Sequence, residues 1–134
     1  MTIMTNTNMI DTAMTEALGR FLDVDVARYK LVSANLANID TPGYRARDLD
    51  FRSELARAAG AEDSRSPQLL PATYSPVARQ VRGLMERPDG NNVSVERESL
   101  LLAESQMKFN LGVQLLKDQF HTIALAINSG ATTS

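Results

Sequence analysis

From Ile10 the apolar residues fall into a helical period. Met14, Leu18, Leu22, Val26, Tyr29, Val32, Leu36 and Ile39 follow one another at steps of three or four. That spacing puts them on one face and predicts an N-terminal helix over residues 9–40. A second, less regular strip, Ala17, Phe21, Val24, Leu31 and Ala34, flanks the first and would let the helix bury more than one side. Residues 1 to about 8 are mostly Thr, Asn and Met without a period, and are expected to fray unless a partner orders them.

The period ends at Thr41-Pro42-Gly43. Pro42 fixes its own φ, removes a backbone donor and biases Thr41 away from helical geometry, while Gly43 accepts the positive φ of a type II turn. Just upstream, Asn35 and Asn38 are three apart on one face, with short amides able to bond carbonyls or a neighbouring chain.

Regularity is lost over 41–93. Nine of the eleven arginines lie between Arg45 and Arg97, mixed with eight acidic residues, and Pro67, Pro71, Pro76 and Pro88 rule out a single helix there. Phe51 to Ala59 suits a short helical turn, Gly60 to Ser66 a polar loop, and Val77 to Met85 an imperfectly alternating strand. Asp89-Gly90-Asn91-Asn92 has the chemistry of a turn.

A second long helix is predicted over 94–128, with Ser94 as N-cap and Glu96 and Glu98 in the first turn, where negative charge suits the helix dipole. Leu102, Phe109, Val113, Leu116, Phe120, Ile123 and Ile127 form a heptad-like seam; Met107, Leu111, Leu115 and Leu125 form a neighbouring strip. Gly112, in mid-helix, costs about 1 kcal/mol against Ala and is either tolerated or permits a close approach. The helix should stop near Asn128-Ser129-Gly130, leaving Ala131 to Ser134 disordered.

The expected fold is all-α. Its two long helices pair as an antiparallel, coiled-coil-like hairpin within one domain over 1–134, and the irregular middle holds at most a short β element. A lone hairpin of this kind is marginal, and the strips it leaves wet mark an interface, so folding is expected to couple to self-assembly or partner binding.

Composition narrows the function classes. A net charge of −2 gives no electrostatic case for nucleic acid, and the absence of cysteine removes thiolate chemistry, disulfides and Cys-ligated zinc. The first residues lack a basic segment followed by an apolar run, so no cleaved signal is expected, and no stretch is long and apolar enough to span a membrane. His121 is the single histidine and lacks nucleophile or metal-ligand partners at a known spacing. Asp48-x-Asp50 is a weak cation signal, with Arg45, Arg47 and Arg52 competing for it. No catalytic residue, cofactor, metal or small-molecule substrate is expected.

Ala34-Asn35-Leu36-Ala37-Asn38-Ile39-Asp40-Thr41-Pro42-Gly43-Tyr44 resembles the N-terminal signature of the flagellar axial proteins, the subunits that build the rod and hook. Tyr44 to Leu55 and Asp89 to Phe109 are similar to a proximal rod subunit in particular, with Ser94, Ser105 and Phe109 standing where Asp, Asn and Tyr are usual. The resemblance implies a structural building block of the basal-body rod on the periplasmic side, polymerised helically around the export channel and transmitting torque. It makes Asn35, Asn38, Thr41, Pro42, Gly43 and Tyr44 the family turn motif. Leu18, Leu22, Val26, Tyr29 and Leu36, with the seam of the second helix, become the helix-pair and assembly interface.

Implied partners are other copies of the chain, other flagellar rod proteins, the rod adaptor at the membrane ring and the flagellar type III export gate. Phe51 and Leu55 carry the Phe-x-x-x-apolar form associated with docking at that gate. Two alternatives are a sister proximal rod subunit and a non-flagellar coiled-coil adaptor; the adaptor would form a stable closed oligomer without polymerising.

Overall fold

The structure, a computed structural model, describes residues 3–60 and 75–131. Its elements in order are α1 (Ile3–Ala37), β1 (Arg47–Asp48), α2 (Phe51–Gly60), β2 (Arg79–Gln80) and α3 (Val95–Ala131). α1 begins before the apolar period does and includes residues expected to fray. Extending an existing helix adds a hydrogen bond per residue without a new nucleation cost, so the period marks where a helix packs rather than where it starts. α3 likewise runs past Asn128-Ser129-Gly130 to Ala131. Most of the expected polar loop over 60–66 lies outside the described residues; Gly60 itself ends α2.

α1 and α3 pair antiparallel, with Asn35 beside Glu98, Asp25 beside Ser105, and Leu22 against Gly112. A Cβ on residue 112 would lie 2.7 Å from Leu22 Cδ2 and 3.3 Å from Phe21 Cδ1. The mid-helix glycine therefore admits two side chains of α1, and this contact offsets its low helix propensity.

The core is thin. Val24 and Val32 of α1 and Leu101 of α3 are buried in the helix pair, and Ala46, Leu49, Ala58 and Val93 are buried where the middle segment folds onto it. α2 docks on α1 through an edge-to-face contact of Phe51 and Phe21, ring centroids 5.4 Å apart, with Lys108 Nζ 4.0 Å above the Phe51 ring. Asp50 caps α2: its Oδ1 accepts from the Arg52 and Ser53 amides. β1 and β2 pair antiparallel, Arg47 with Gln80 and Asp48 with Arg79, so the expected strand within 77–85 is two residues long. None of the helices described is long and apolar enough to cross a membrane.

Candidate functional site

The closed end of the hairpin carries the most elaborate chemistry. After Ala37 the chain tightens through a succession of turns: Ile39 N–H bonds Leu36 O, Thr41 N–H bonds Asn38 O, and Tyr44 N–H bonds Thr41 O. With Pro42 and Gly43 at its centre and Gly43 at φ 74°, the Thr41–Tyr44 turn has the type II form that the sequence predicts. Asn38 donates from its side chain to Ala34 O and accepts from the Thr41 hydroxyl, which satisfies one of the orphan carbonyls of the helix end.

Residues 87–92 close over this turn. Gly43 N–H donates to Asp89 O at 2.8 Å. Asn91 is fully buried, and its Nδ2 lies 2.9, 3.1 and 2.9 Å from the carbonyl oxygens of Asn38, Ile39 and Thr41. Two hydrogens serve three acceptors, so one bond is shared. Arg87 adds a bond to Ile39 O, and Asn92 Oδ1 accepts from Ala46 N–H at 2.7 Å. Gly90, at φ 84°, passes so close to Gly43 that a Cβ there would meet the Gly43 Cα at 3.3 Å.

Asn35 joins this turn to the helix pair. It is 1% exposed and uses its whole bonding capacity: Nδ2 donates to Arg47 O and Glu98 Oε2, while Oδ1 accepts from Tyr44 Oη and Arg47 N–H. Glu98, wholly buried, takes its second partner from Arg97 at 2.7 Å. Arg97 also reaches Asp48, which Arg28 grips with two parallel bonds of 3.1 Å. One carboxylate on β1 is thus held by a guanidinium from each long helix. Among the described residues no buried side-chain nitrogen or oxygen lacks a partner.

Further along the seam, Ser105 donates to Asp25 Oδ1 at 2.8 Å. Burial raises the Asp25 carboxyl above the usual aspartate range, against the opposing pull of the Ser105 hydroxyl, Lys108 and Arg28. Glu104 is held below its ordinary value by the hydrogen bond from Lys108, and Asp50 by that from the Ser53 hydroxyl. Asp48 and Asp50, the pair read as a weak cation signal, are thus committed to arginines and to a helix cap. No group of metal-ligating side chains occurs among the described residues.

The expected interface residues separate into two sets. Leu18, Leu22, Leu36, Leu102, Val113, Leu116 and Ile123 are half-buried, whereas Val26, Tyr29, Phe109, Phe120 and Ile127 are exposed. Val26 and Tyr29 of α1 and Phe109 of α3, with the buried Asp25 and Ser105, line an open groove of about 450 Å³ between the two helices. Leu55 lines a second groove with Leu18, Phe21, Leu111 and Leu115, and Phe51 is packed against Phe21.

Sequence reasoning read Asn91 and Asn92 as turn residues and Glu98 as a complement to the helix dipole. In the structure they are buried bonding centres. One signal was available: Asn35 stands three and four residues from Val32 and Leu31, and Glu98 three and four from Leu101 and Leu102, which puts both polar side chains on apolar faces.

A family profile described as Flagella basal body rod protein matches residues 26–45, which cover the last third of α1 and the Thr41–Tyr44 turn. The chain is 32% identical over 122 residues to the flagellar basal body rod protein FlgB of Salmonella typhimurium, covering 81% of this chain and 88% of that protein, and the same holds for FlgB of Escherichia coli. FlgB of Cereibacter sphaeroides is 32% identical over 105 residues, covering 75% of this chain and 82% of its own length.

Proposed function

Because the chain belongs to the FlgB family of flagellar basal body rod proteins, we propose that it is a structural subunit of the proximal rod, polymerised helically to transmit torque and line the export channel. Its place is the flagellar basal body, in association with other rod components. The reading is structural rather than catalytic.

The observation that carries the mechanical reading is a pair of long helices locked at one end yet incompletely covered along its length. Phe109, Leu111, Phe120 and Leu125 are between 44% and 57% exposed. Apolar rows of that extent on a chain this size are surfaces waiting for neighbours. The adaptor alternative predicts a closed oligomer and leaves the relationship to rod proteins without a reason, so the rod reading is favoured.

The finer assignments follow from it. The rod adaptor at the membrane ring and the type III export gate are the further partners, and the assembled position is periplasmic, reached by export without a cleaved signal. Phe51 and Leu55 serve gate docking while the chain is unfolded, since in the folded state Phe51 is held between Phe21 and Lys108. The Asn35–Tyr44 motif fixes the angle at which the middle segment leaves α1, and thereby the shape presented to neighbours.

Complementation of a strain lacking this protein tests the reading. Deleting Asn35–Tyr44 should abolish swimming and completed basal bodies; motile cells carrying the deletion would sink it. In a secretion assay, Phe51→Ala should lower export of the chain, and unchanged export would remove the gate assignment.

A further inference from the structure

Asp25 is a buried carboxylate without a counter-ion. It is 1% exposed, the Ser105 hydroxyl at 2.8 Å is its one hydrogen-bond partner, and it makes no salt bridge among the described residues. The other two buried carboxylates described, Glu98 and Glu54, each hold an arginine at 2.7 Å. The cations that act on Asp25 are engaged elsewhere: Lys108 bonds Glu104 and sits over the Phe51 ring, and Arg28 is bound to Asp48 and Glu104. A buried charge left in that state is costly, and a cation that reaches it lowers the cost.

The way in is open. Asp25 and Ser105 both line the groove of about 450 Å³ between α1 and α3. Four residues after each stands an aromatic ring of the same groove, Tyr29 on α1 and Phe109 on α3, 43% and 44% exposed. Helical side chains lean towards the N-terminus of their own helix, so in this antiparallel pair the two rings lean from opposite ends towards the Asp25–Ser105 bond. Gln106 and Asn110 complete the wall, and neither side-chain amide has a partner among the described residues.

We propose that this groove is a slot for one arginine side chain carried by a neighbouring protein of the rod, its guanidinium paired with Asp25 and stacked against the Tyr29 and Phe109 rings. This rests on the rod reading and deepens it by naming the chemistry of a contact.

Arginine suits the slot better than lysine. A guanidinium is planar, stacks on ring faces, sheds water more readily than an ammonium and keeps donors free for the amide oxygens of Gln106 and Asn110. A neutral or anionic side chain would leave the Asp25 charge uncompensated. For the isolated chain that charge has no use, since an amide at position 25 would accept from Ser105 as well; a cation from outside supplies one.

Isotope-labelled full-length chain is titrated at neutral pH with Nα-acetyl-arginine amide and, as an uncharged control of the same shape, Nα-acetyl-citrulline amide. Saturable amide shifts centred on Asp25, Tyr29 and Gln106 are expected with the arginine probe, and about tenfold weaker binding of that probe to Asp25→Asn. Equal affinity for the two probes, or equal affinity of the two chains for the arginine probe, would overturn the proposal. The urea midpoint of Asp25→Asn reports that it folds; should it not, the two probes on the parent chain decide alone. In complemented cells, a photo-cross-linking benzoylphenylalanine replaces Gln106, and the peptide captured in purified basal bodies should carry an arginine at or beside the linked residue. Basal bodies that contain this variant but yield no such peptide would leave the rod reading standing and remove the arginine contact. Selective binding of the arginine probe by a chain absent from basal bodies would support the slot and remove the rod reading.

Discussion

Replacing Asn35 by Ala removes four hydrogen bonds from one buried position. The Arg47 N–H and C=O each lose a partner beneath the turn, and Glu98 keeps only Arg97. The Tyr44 hydroxyl, on a half-buried ring, can turn to water. An unsatisfied buried group costs about 1–3 kcal/mol, so three of them sum to about 3–9 kcal/mol before water enters the space the amide vacates. A net loss of about 3 kcal/mol is expected, a large share of the total stability of a domain. At about 4 °C per kcal/mol for a chain this long, the melting temperature should fall by about 12 °C. Urea unfolding followed by far-UV circular dichroism measures the loss directly. Asn38→Ala is the internal control, because the Asn38 side chain bonds only within its own turn and at a more exposed position; it should cost less than about 1 kcal/mol. An Asn35→Ala chain within about 0.5 kcal/mol of the parent, or an Asn38→Ala chain harmed more, would refute the view that Asn35 ties the turn to the helix pair.

Other substitutions probe separate parts of the same reasoning. Gly112→Ala gains about 1 kcal/mol in helix propensity but drives a methyl into Leu22 and Phe21, so a net loss of about 1 kcal/mol is expected in a thermal melt, disappearing in a Leu22→Ala background. Gly90→Ala must bear both a positive φ and a clash with the Gly43 backbone, whereas Gly43→Ala bears only the φ; the first should lower the urea midpoint more, by about 1–2 kcal/mol in stability. Asp25 has a folded pKa raised by burial, so the folded state holds its proton more tightly and its contribution to stability rises as pH falls from the raised value towards the ordinary aspartate value. Asp25→Asn, which can still accept from Ser105, should therefore gain on the parent as pH rises through that window; a flat or opposite difference in urea midpoints would contradict it. Glu104 and Asp50, held low, act in the opposite sense at lower pH and are unchanged in the comparison.

Much of the local structure was legible in the residues. The apolar period announces both long helices, Pro42-Gly43 announces a type II turn, and Ser94 accepts from the Arg97 N–H as an N-cap should. Each of these depends on contacts within a few residues, where backbone sterics and hydrogen-bond reach are fixed by the local sequence. The direction in which a helix with two apolar strips faces its partner is not of that kind. Here the face is set where Asn35 meets Glu98, Asp25 meets Ser105 and Leu22 enters the gap at Gly112, which leaves Val26 and Tyr29 beside the seam rather than within it.

Sequence by itself determined that two long helices flank an irregular middle, and where the stop after the first one falls. Tertiary structure alone decided the register, because a buried amide or carboxylate is costly wherever its partner is missing, and partners 63 and 80 residues apart along the chain coincide in a single alignment of the two helices. Apolar side chains tolerate many alignments; these polar pairs tolerate one.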